Sequence, residues 1–103
     1  MKEIDVQNSI RLALTPYAVV FRANVGTFKT ADGRQVSTGL PAGFSDLFGF
    51  RKSDGHIFFI EVKNAKGRAS EKQLHFIEMM KKQGAIAGIA RSAEEAIELI
   101  QEV

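Results

Sequence analysis

The chain contains no cysteine, which excludes disulfides, thiolate zinc sites and cysteine-held iron–sulfur clusters. Histidine is scarce as well. With only His56 and His75 present, a metal site would have to rely on carboxylate oxygens, which suit hard divalent cations such as magnesium or manganese. No apolar run approaches the ~20 residues needed to cross a bilayer, and the opening Met1-Lys2-Glu3-Ile4-Asp5 lacks the charged-then-apolar layout of a signal peptide. A cytoplasmic location without a membrane partner is expected. Repeats, low-complexity tracts and linkers are absent, so residues 1–103 are expected to form one small domain around one core.

What is present is an ordinary globular composition, 45% hydrophobic and 25% charged, with a net charge of +2. That balance is too weak to imply a nucleic-acid partner, but it is unevenly placed. Arg22 to Lys72 holds nine Lys and Arg against five Asp and Glu, whereas Gln73 to Val103 holds three against five. A basic middle is what a site attracting a phosphate backbone requires. Scattered solvated charge accounts for the same counts.

Val6, Ile10, Ala13, Leu14 and Tyr17 recur at helical spacing, with Pro16 marking the end of the helix. Glu3 lies one turn before Val6 on the same stripe, where it suits a helix N-terminus and also points toward the sheet. Tyr17 to Ala23 reads as a strand. Thr27 to Thr30 and Arg34 to Thr38, joined by Asp32-Gly33, read as a polar hairpin reaching outward with Lys29 and Arg34 on it. A glycine-rich stretch, Gly39 to Ser45, leads into a short strand, Asp46 to Phe50. Ser53-Asp54-Gly55-His56 then turns the chain into Ile57-Phe58-Phe59-Ile60-Glu61-Val62-Lys63, apolar enough for a strand buried on both faces. The two strands are expected to pair antiparallel and bring Asp46 near Glu61. A helix opened by Ser70 carries Phe76, Ile77 and Met80 inward and stops at Gly84. A small-residue strand, Ala85 to Ala90, precedes a last helix, in which Ser92 and Glu95 form a capping-box pattern and Ala93, Ala96, Ile97 and Ile100 face inward. The order predicts an α/β domain with one mixed sheet.

Side chains two apart on a strand share a face, so Glu61 and Lys63 emerge together at the end of a buried strand. Charges there are costly without partners, and a second carboxylate, Asp46, suggests that the partner is a metal ion. Two carboxylates holding a divalent cation and an adjacent ammonium form a set able to hydrolyse a phosphodiester: the cation activates water and neutralises charge, and Lys63 orients the water or stabilises the developing anion. A Glu-x-Lys triplet alone occurs by chance in about one chain in three of this length, and a cross-strand Glu–Lys pair at a sheet margin is the plainer explanation. The position of the triplet raises its weight, because Asp46 lies one hairpin earlier and the basic turn Lys66-Gly67-Arg68 follows.

Gln73 admits two readings. Three residues after Ser70 it completes a capping box; it also lies on the inward stripe of its helix, where its amide is able to bind the attacking water or a metal ligand. His56 and His75 are assigned to surface or packing roles. Arg22, Lys29, Arg34, Arg51, Lys66, Arg68 and Lys72 are candidate phosphate contacts as a cluster, and ordinary solvated charges one by one.

With Gly43-Phe44-Ser45-Asp46-Leu47, Glu61-Val62-Lys63 and Lys66-Gly67-Arg68-Ala69-Ser70-Glu71-Lys72-Gln73, joined by the helix bearing Glu3, the chain resembles the VRR-NUC (virus-type replication-repair nuclease) family of the PD-(D/E)XK nuclease superfamily. The resemblance implies a restriction-endonuclease-like αβββαβ core, a central mixed sheet flanked by helices. It also implies Mg2+ or Mn2+ held by Asp46, Glu61 and the Val62 carbonyl, with Glu3 completing the acidic cluster, Lys63 assisting catalysis and Gln73 belonging to the site. Ser45 stands where the superfamily has proline, at a position that is not a ligand. Stand-alone members are similar to phage-encoded homodimers that cut branched DNA, so the expected activity is a metal-dependent deoxyribonuclease resolving four-way (Holliday) junctions. The location implied is the cytoplasm of a bacterial or phage-infected host cell. A flap nuclease, an exonuclease, a restriction-like enzyme and a non-catalytic nucleic-acid-binding module are the alternatives.

Overall fold

The computed structural model describes residues 1–102. In chain order its elements are α1 (Glu3–Leu14), β1 (Ala18–Arg22), β2 (Thr27–Lys29), β3 (Gln35–Ser37), β4 (Leu47–Arg51), β5 (Ile57–Val62), α2 (Glu71–Lys82), β6 (Ile86–Ala90) and α3 (Ala93–Gln101). Four strands form one sheet in the order β1-β4-β5-β6, and β2 pairs with β3 in a separate two-stranded hairpin. β4 runs antiparallel to both β1 and β5, whereas β5 and β6 are parallel, connected through α2. With the hairpin set aside, the order α1, β1, β4, β5, α2, β6 is the expected αβββαβ core, and α3 is added after it. No helix among the described residues is long and apolar enough to cross a membrane.

The alternation of β5 decides how the layers assemble. Phe58, Ile60 and Val62 face α1 and α3, forming a core with Val6, Ile10, Leu14, Ala96 and Ile100. Phe59 faces the other way, where Phe76 and Ile77 of α2 and Ala87 of β6 cover it. α1 ends sooner than its spacing predicts. Thr15 caps it, with Oγ1 donating to the Leu12 carbonyl at 2.7 Å. Tyr17 lies beyond the helix and is exposed, because a proline at position 16 cannot donate the hydrogen bond that would continue it.

Two packing features fix the end of the sheet that carries Asp46. Phe44 inserts into the α2 side, with ring centroids 4.8 Å from Phe76, 5.6 Å from Phe48 and 5.8 Å from Phe59. Aromatic contacts of this kind anchor the segment just before Asp46. Gly43 lies so close to α2 that a Cβ there would stand 2.5 Å from the Lys72 carbonyl oxygen, and its φ is +92°. Only glycine tolerates both the approach and that backbone conformation. The loop is thereby clamped to the first turn of α2. α2 lies chiefly over β5 and β6, and farther along the same sheet face Phe21, Phe50 and Ile57 stay 48%, 40% and 46% exposed.

Candidate active site

The antiparallel register pairs Leu47 with Ile60, so the residue before β4, Asp46, falls opposite Glu61. Asp46 Oδ2 accepts the Val62 N–H at 2.9 Å, which locks its carboxylate across the strand end. Glu61 is 1% exposed, and its Oε2 has no hydrogen-bond partner among the described residues. Its carboxyl is pushed up to about 9. Burial is the largest cause, followed by hydrogen bonding to the Asp46 carboxyl and the Asp46 charge; Lys63 pulls the other way and Glu3 adds to the rise. Two carboxyl groups this close cannot both ionise cheaply in a poorly solvated place.

Lys63 follows the last residue of β5, and its N–H donates to the Ala90 carbonyl at 3.2 Å, extending the pairing with β6. Its stem lies along the turn that follows. A Cβ on Gly67 would stand 3.1 Å from Glu3 Oε2, 3.2 Å from Asn64 Oδ1 and 3.3 Å from Lys63 Cδ. Glu3, Lys63 and Asn64 therefore crowd around one residue that has no side chain. Asn64 Oδ1 accepts the N–H groups of Gly67 at 2.7 Å and Lys66 at 3.1 Å, which shapes the turn. Asp46, Glu61, Lys63 and Glu3 thus share one end of the sheet.

Gln73 forms the capping box in full: Ser70 Oγ accepts the Gln73 N–H at 3.2 Å, and Gln73 Oε1 accepts the Ser70 N–H at 2.9 Å. Gln73 makes no hydrogen bond to Asp46, Glu61 or Lys63 among the described residues. At α3 the box is altered. Ser92 Oγ accepts the Glu95 N–H at 3.1 Å, but the Glu95 carboxylate reaches one residue farther back, to the Arg91 N–H at 2.7 Å.

Of the candidate phosphate contacts, Lys66 and Arg68 line an open groove of about 730 Å³ beside the turn, with Leu74, Ile89 and Arg91. Lys72 lies in the first turn of α2. Arg22 pairs with Leu47 in register and so lies at the Asp46 end. Lys29 and Arg34 stand on the outlying hairpin, where Arg34 is paired with Asp32 at 3.1 Å. Arg51 does not belong with them. It sits at the far end of β4, about 17 Å from Asp46 at the ordinary rise of a strand. Its Nη1 donates to the carbonyls of Ile100 at 2.9 Å and Glu102 at 2.8 Å, and it also pairs with Asp54. The guanidinium ties down the end of α3 instead.

Sequence reading missed four polar residues around the site. Arg91 and Asn64 hold the Lys63–Gly67 turn. Ser45 is buried beside Asp46 and Gln7 one turn after Glu3, and among the described residues neither the Ser45 hydroxyl nor the Gln7 side-chain carbonyl has a partner. For Gln7 a signal existed, since an amide fell on an otherwise apolar helix face.

As donors for a divalent cation the site offers Asp46 and Glu61, adjacent and hard. The buried, unpartnered Glu61 Oε2 is the kind of atom a cation satisfies. No group of three or more His, Asp and Glu side chains among the described residues is arranged to hold a metal. Glu3 lies against Gly67 and does not close a three-carboxylate cluster with the other two.

None of the curated proteins compared with the chain matches it significantly. Solved structures do resemble it. One described as a VRR_NUC domain superposes with a TM-score of 0.67 at 24% identity, over 97% of this chain and 95% of the other. Another, a VRR_NUC domain protein, gives 0.65 at 22% identity, over 98% and 86%. At such identities these likenesses speak for the fold. The family model for the VRR-NUC domain matches residues 27–94, a span that takes in Asp46, Glu61, Lys63 and Gln73. With two thirds of its length under that match, the chain belongs to the VRR-NUC family and carries a nuclease-type domain.

Proposed function

We propose that the protein is a divalent-metal-dependent DNA endonuclease selective for branched DNA, resolving four-way junctions as a homodimer. The observation that carries the catalytic part is the paired Asp46 and Glu61 carboxyls, with a buried unpartnered oxygen on Glu61 and the Lys63 side chain alongside. The Glu61 carboxyl, its proton held by burial and by the neighbouring Asp46, is set against its own ionisation, and a bound cation reverses that balance.

In this reading Asp46, Glu61 and the Val62 carbonyl hold Mg2+ or Mn2+, and Glu3 acts from beside them. When bound, the cation lowers the pKa of water and neutralises phosphate charge. The remaining work belongs to the chain. Asp46 is fixed beside Glu61 by the Val62 N–H. Lys63 directs its ammonium at the attacking water or the developing negative charge as water oxygen joins phosphorus and a phosphorus–oxygen bond breaks. Gln73, fixed by its cap, offers its amide nitrogen to the water. Lys66, Arg68, Lys72 and Arg22 receive neighbouring phosphates at the same end, while Lys29 and Arg34 reach more distant ones from the hairpin.

Symmetric cutting of two strands calls for two sites related by a twofold axis. Support for a second copy comes from the half-exposed strip Phe21, Phe50 and Ile57, an apolar surface that a partner could cover.

The test is incubation with labelled four-way, flap, nicked and linear DNA in Mg2+ or Mn2+, beside Lys63→Ala. Paired symmetric incisions of the four-way substrate by the parent, absent from the variant, are expected. Preferential cutting of flaps or free ends would replace the junction assignment with one of those activities. Binding without cutting in every metal would make the protein a non-catalytic binding module.

A further inference from the structure

We propose that Arg91 is a positioning residue for Lys63, acting through the turn between β5 and α2. The proposal rests on the nuclease reading for its effect on turnover, and on geometry alone for its effect on the turn. Arg91 directly follows β6, whose last residue, Ala90, accepts the Lys63 N–H. Its Nη1 donates to two main-chain carbonyls across the strand boundary, Asn64 at 2.6 Å and Gly67 at 2.7 Å. Both bonds are partly buried, short and charge-assisted, the strong class of hydrogen bond.

These two carbonyls bracket the turn that the Asn64 side chain closes from inside through the Lys66 and Gly67 N–H groups. The turn is thus held at its N–H groups by Asn64 and at its carbonyls by Arg91. It is also the shelf over which Lys63 Cδ and the Glu3 carboxylate lie, since both would come within 3.3 Å of a Cβ added at Gly67. Arg91 belongs to neither apolar core, and its guanidinium has no carboxylate salt bridge among the described residues. Its own main chain is anchored by the Glu95 carboxylate through the Arg91 N–H, so the guanidinium extends from a fixed base. Residues 63–70 contain no helix or strand of their own. Besides Arg91, the Asn64 carbonyl accepts only the longer bond from the Gly67 N–H at 3.3 Å among the described residues, so without Arg91 the turn is held more weakly and the lysine it carries loses its fixed direction. Supporting groups of this kind matter because catalytic side chains have to be held within about 0.5 Å of productive geometry.

Arg91→Ala, Arg91→Lys and Asn64→Ala are compared with the parent by steady-state cleavage and by amide hydrogen exchange. For Arg91→Ala the expected result is a kcat lower by about 10- to 100-fold, KM within about threefold, and Lys66 and Gly67 amides exchanging at least about tenfold faster. Arg91→Lys, which keeps a cationic donor without the planar fork, recovers part of both losses. Asn64→Ala, cutting the inner half of the clamp, repeats the kcat loss, and it decides the matter if Arg91→Ala does not fold. Unchanged kcat in these variants, a kcat loss without faster exchange, or a rise in KM that accounts for the whole defect would overturn the proposal; the last would make Arg91 a DNA contact. If the parent cuts none of the DNA substrates, the nuclease reading fails separately, and exchange alone decides: faster in Arg91→Ala supports the clamp, unchanged refutes it.

Discussion

Glu61→Gln should make the metal-free protein more stable at alkaline pH while removing a residue proposed to be essential. In the unfolded chain the Glu61 carboxyl titrates near its model value of 4.5, whereas in the fold it is pushed up to about 9. Between those values the unfolded state has released a proton that the native state still holds, so stability falls as pH rises across that window. The limiting slope is about 1.4 kcal/mol per pH unit, which by pH 8 accumulates to about 5 kcal/mol. Local relaxation and water reaching a carboxyl at a strand end reduce this to about 2–3 kcal/mol. Glutamine has nearly the same shape, never ionises, and can donate to Asp46 as the protonated acid does. Thermal melts of parent and variant in chelator, from pH 5 to 9, read the difference. The curves should nearly meet at pH 5 and separate by roughly 10 °C at pH 8, with the variant higher. A separation that does not change with pH, or a parent that is the more stable at pH 8, would refute the assignment of Glu61 as a carboxyl neutralised by burial and by Asp46.

Divalent cations should restore part of what ionisation of Glu61 costs. Mg2+ or Mn2+ at tenfold above Kd raises parental stability by about 1.4 kcal/mol, with affinity increasing toward pH 9 as the competing proton leaves; calorimetric titration should find this effect lost in Asp46→Asn. Gln73→Glu keeps the capping box and should melt within about 0.5 kcal/mol of the parent, whereas Gln73→Ala loses about 1 kcal/mol. If Gln73→Glu also cuts DNA at the parental rate, the amide has no role beyond the cap. Gly43→Ala forces a Cβ onto the Lys72 carbonyl at positive φ and should cost about 2 kcal/mol or more in chemical denaturation. Arg51→Ala frees the end of α3 and should lower the melting temperature by several degrees, while leaving cleavage at 25 °C unchanged, because Arg51 lies at the other end of β4 from Asp46.

Much of this protein is written in local pattern. The doubly buried run ending in Glu61, the Asp32-Gly33 hairpin, the Ser70 cap and the stop at Gly84 each rest on neighbours close in sequence, so the elements and the mixed sheet are legible from the chain. The pairing of Asp46 with Glu61 is legible too, because one short turn between two strands leaves little freedom of register. Other features come from contacts between distant segments and have no local signature. Arg91 and Asn64 lie 27 positions apart in the chain and meet because β5 and β6 are parallel neighbours. Arg51 carries the same charge as the candidate phosphate contacts, and only the docking of α3 shows that its guanidinium is engaged by carbonyls. The elevated proton affinity of Glu61 likewise depends on how fully α2, Phe44 and the Asp46 loop shut out water. A linear sequence records which groups are present and their local spacing. Solvation and long-range partners, which decide what those groups do, exist only once the layers have packed.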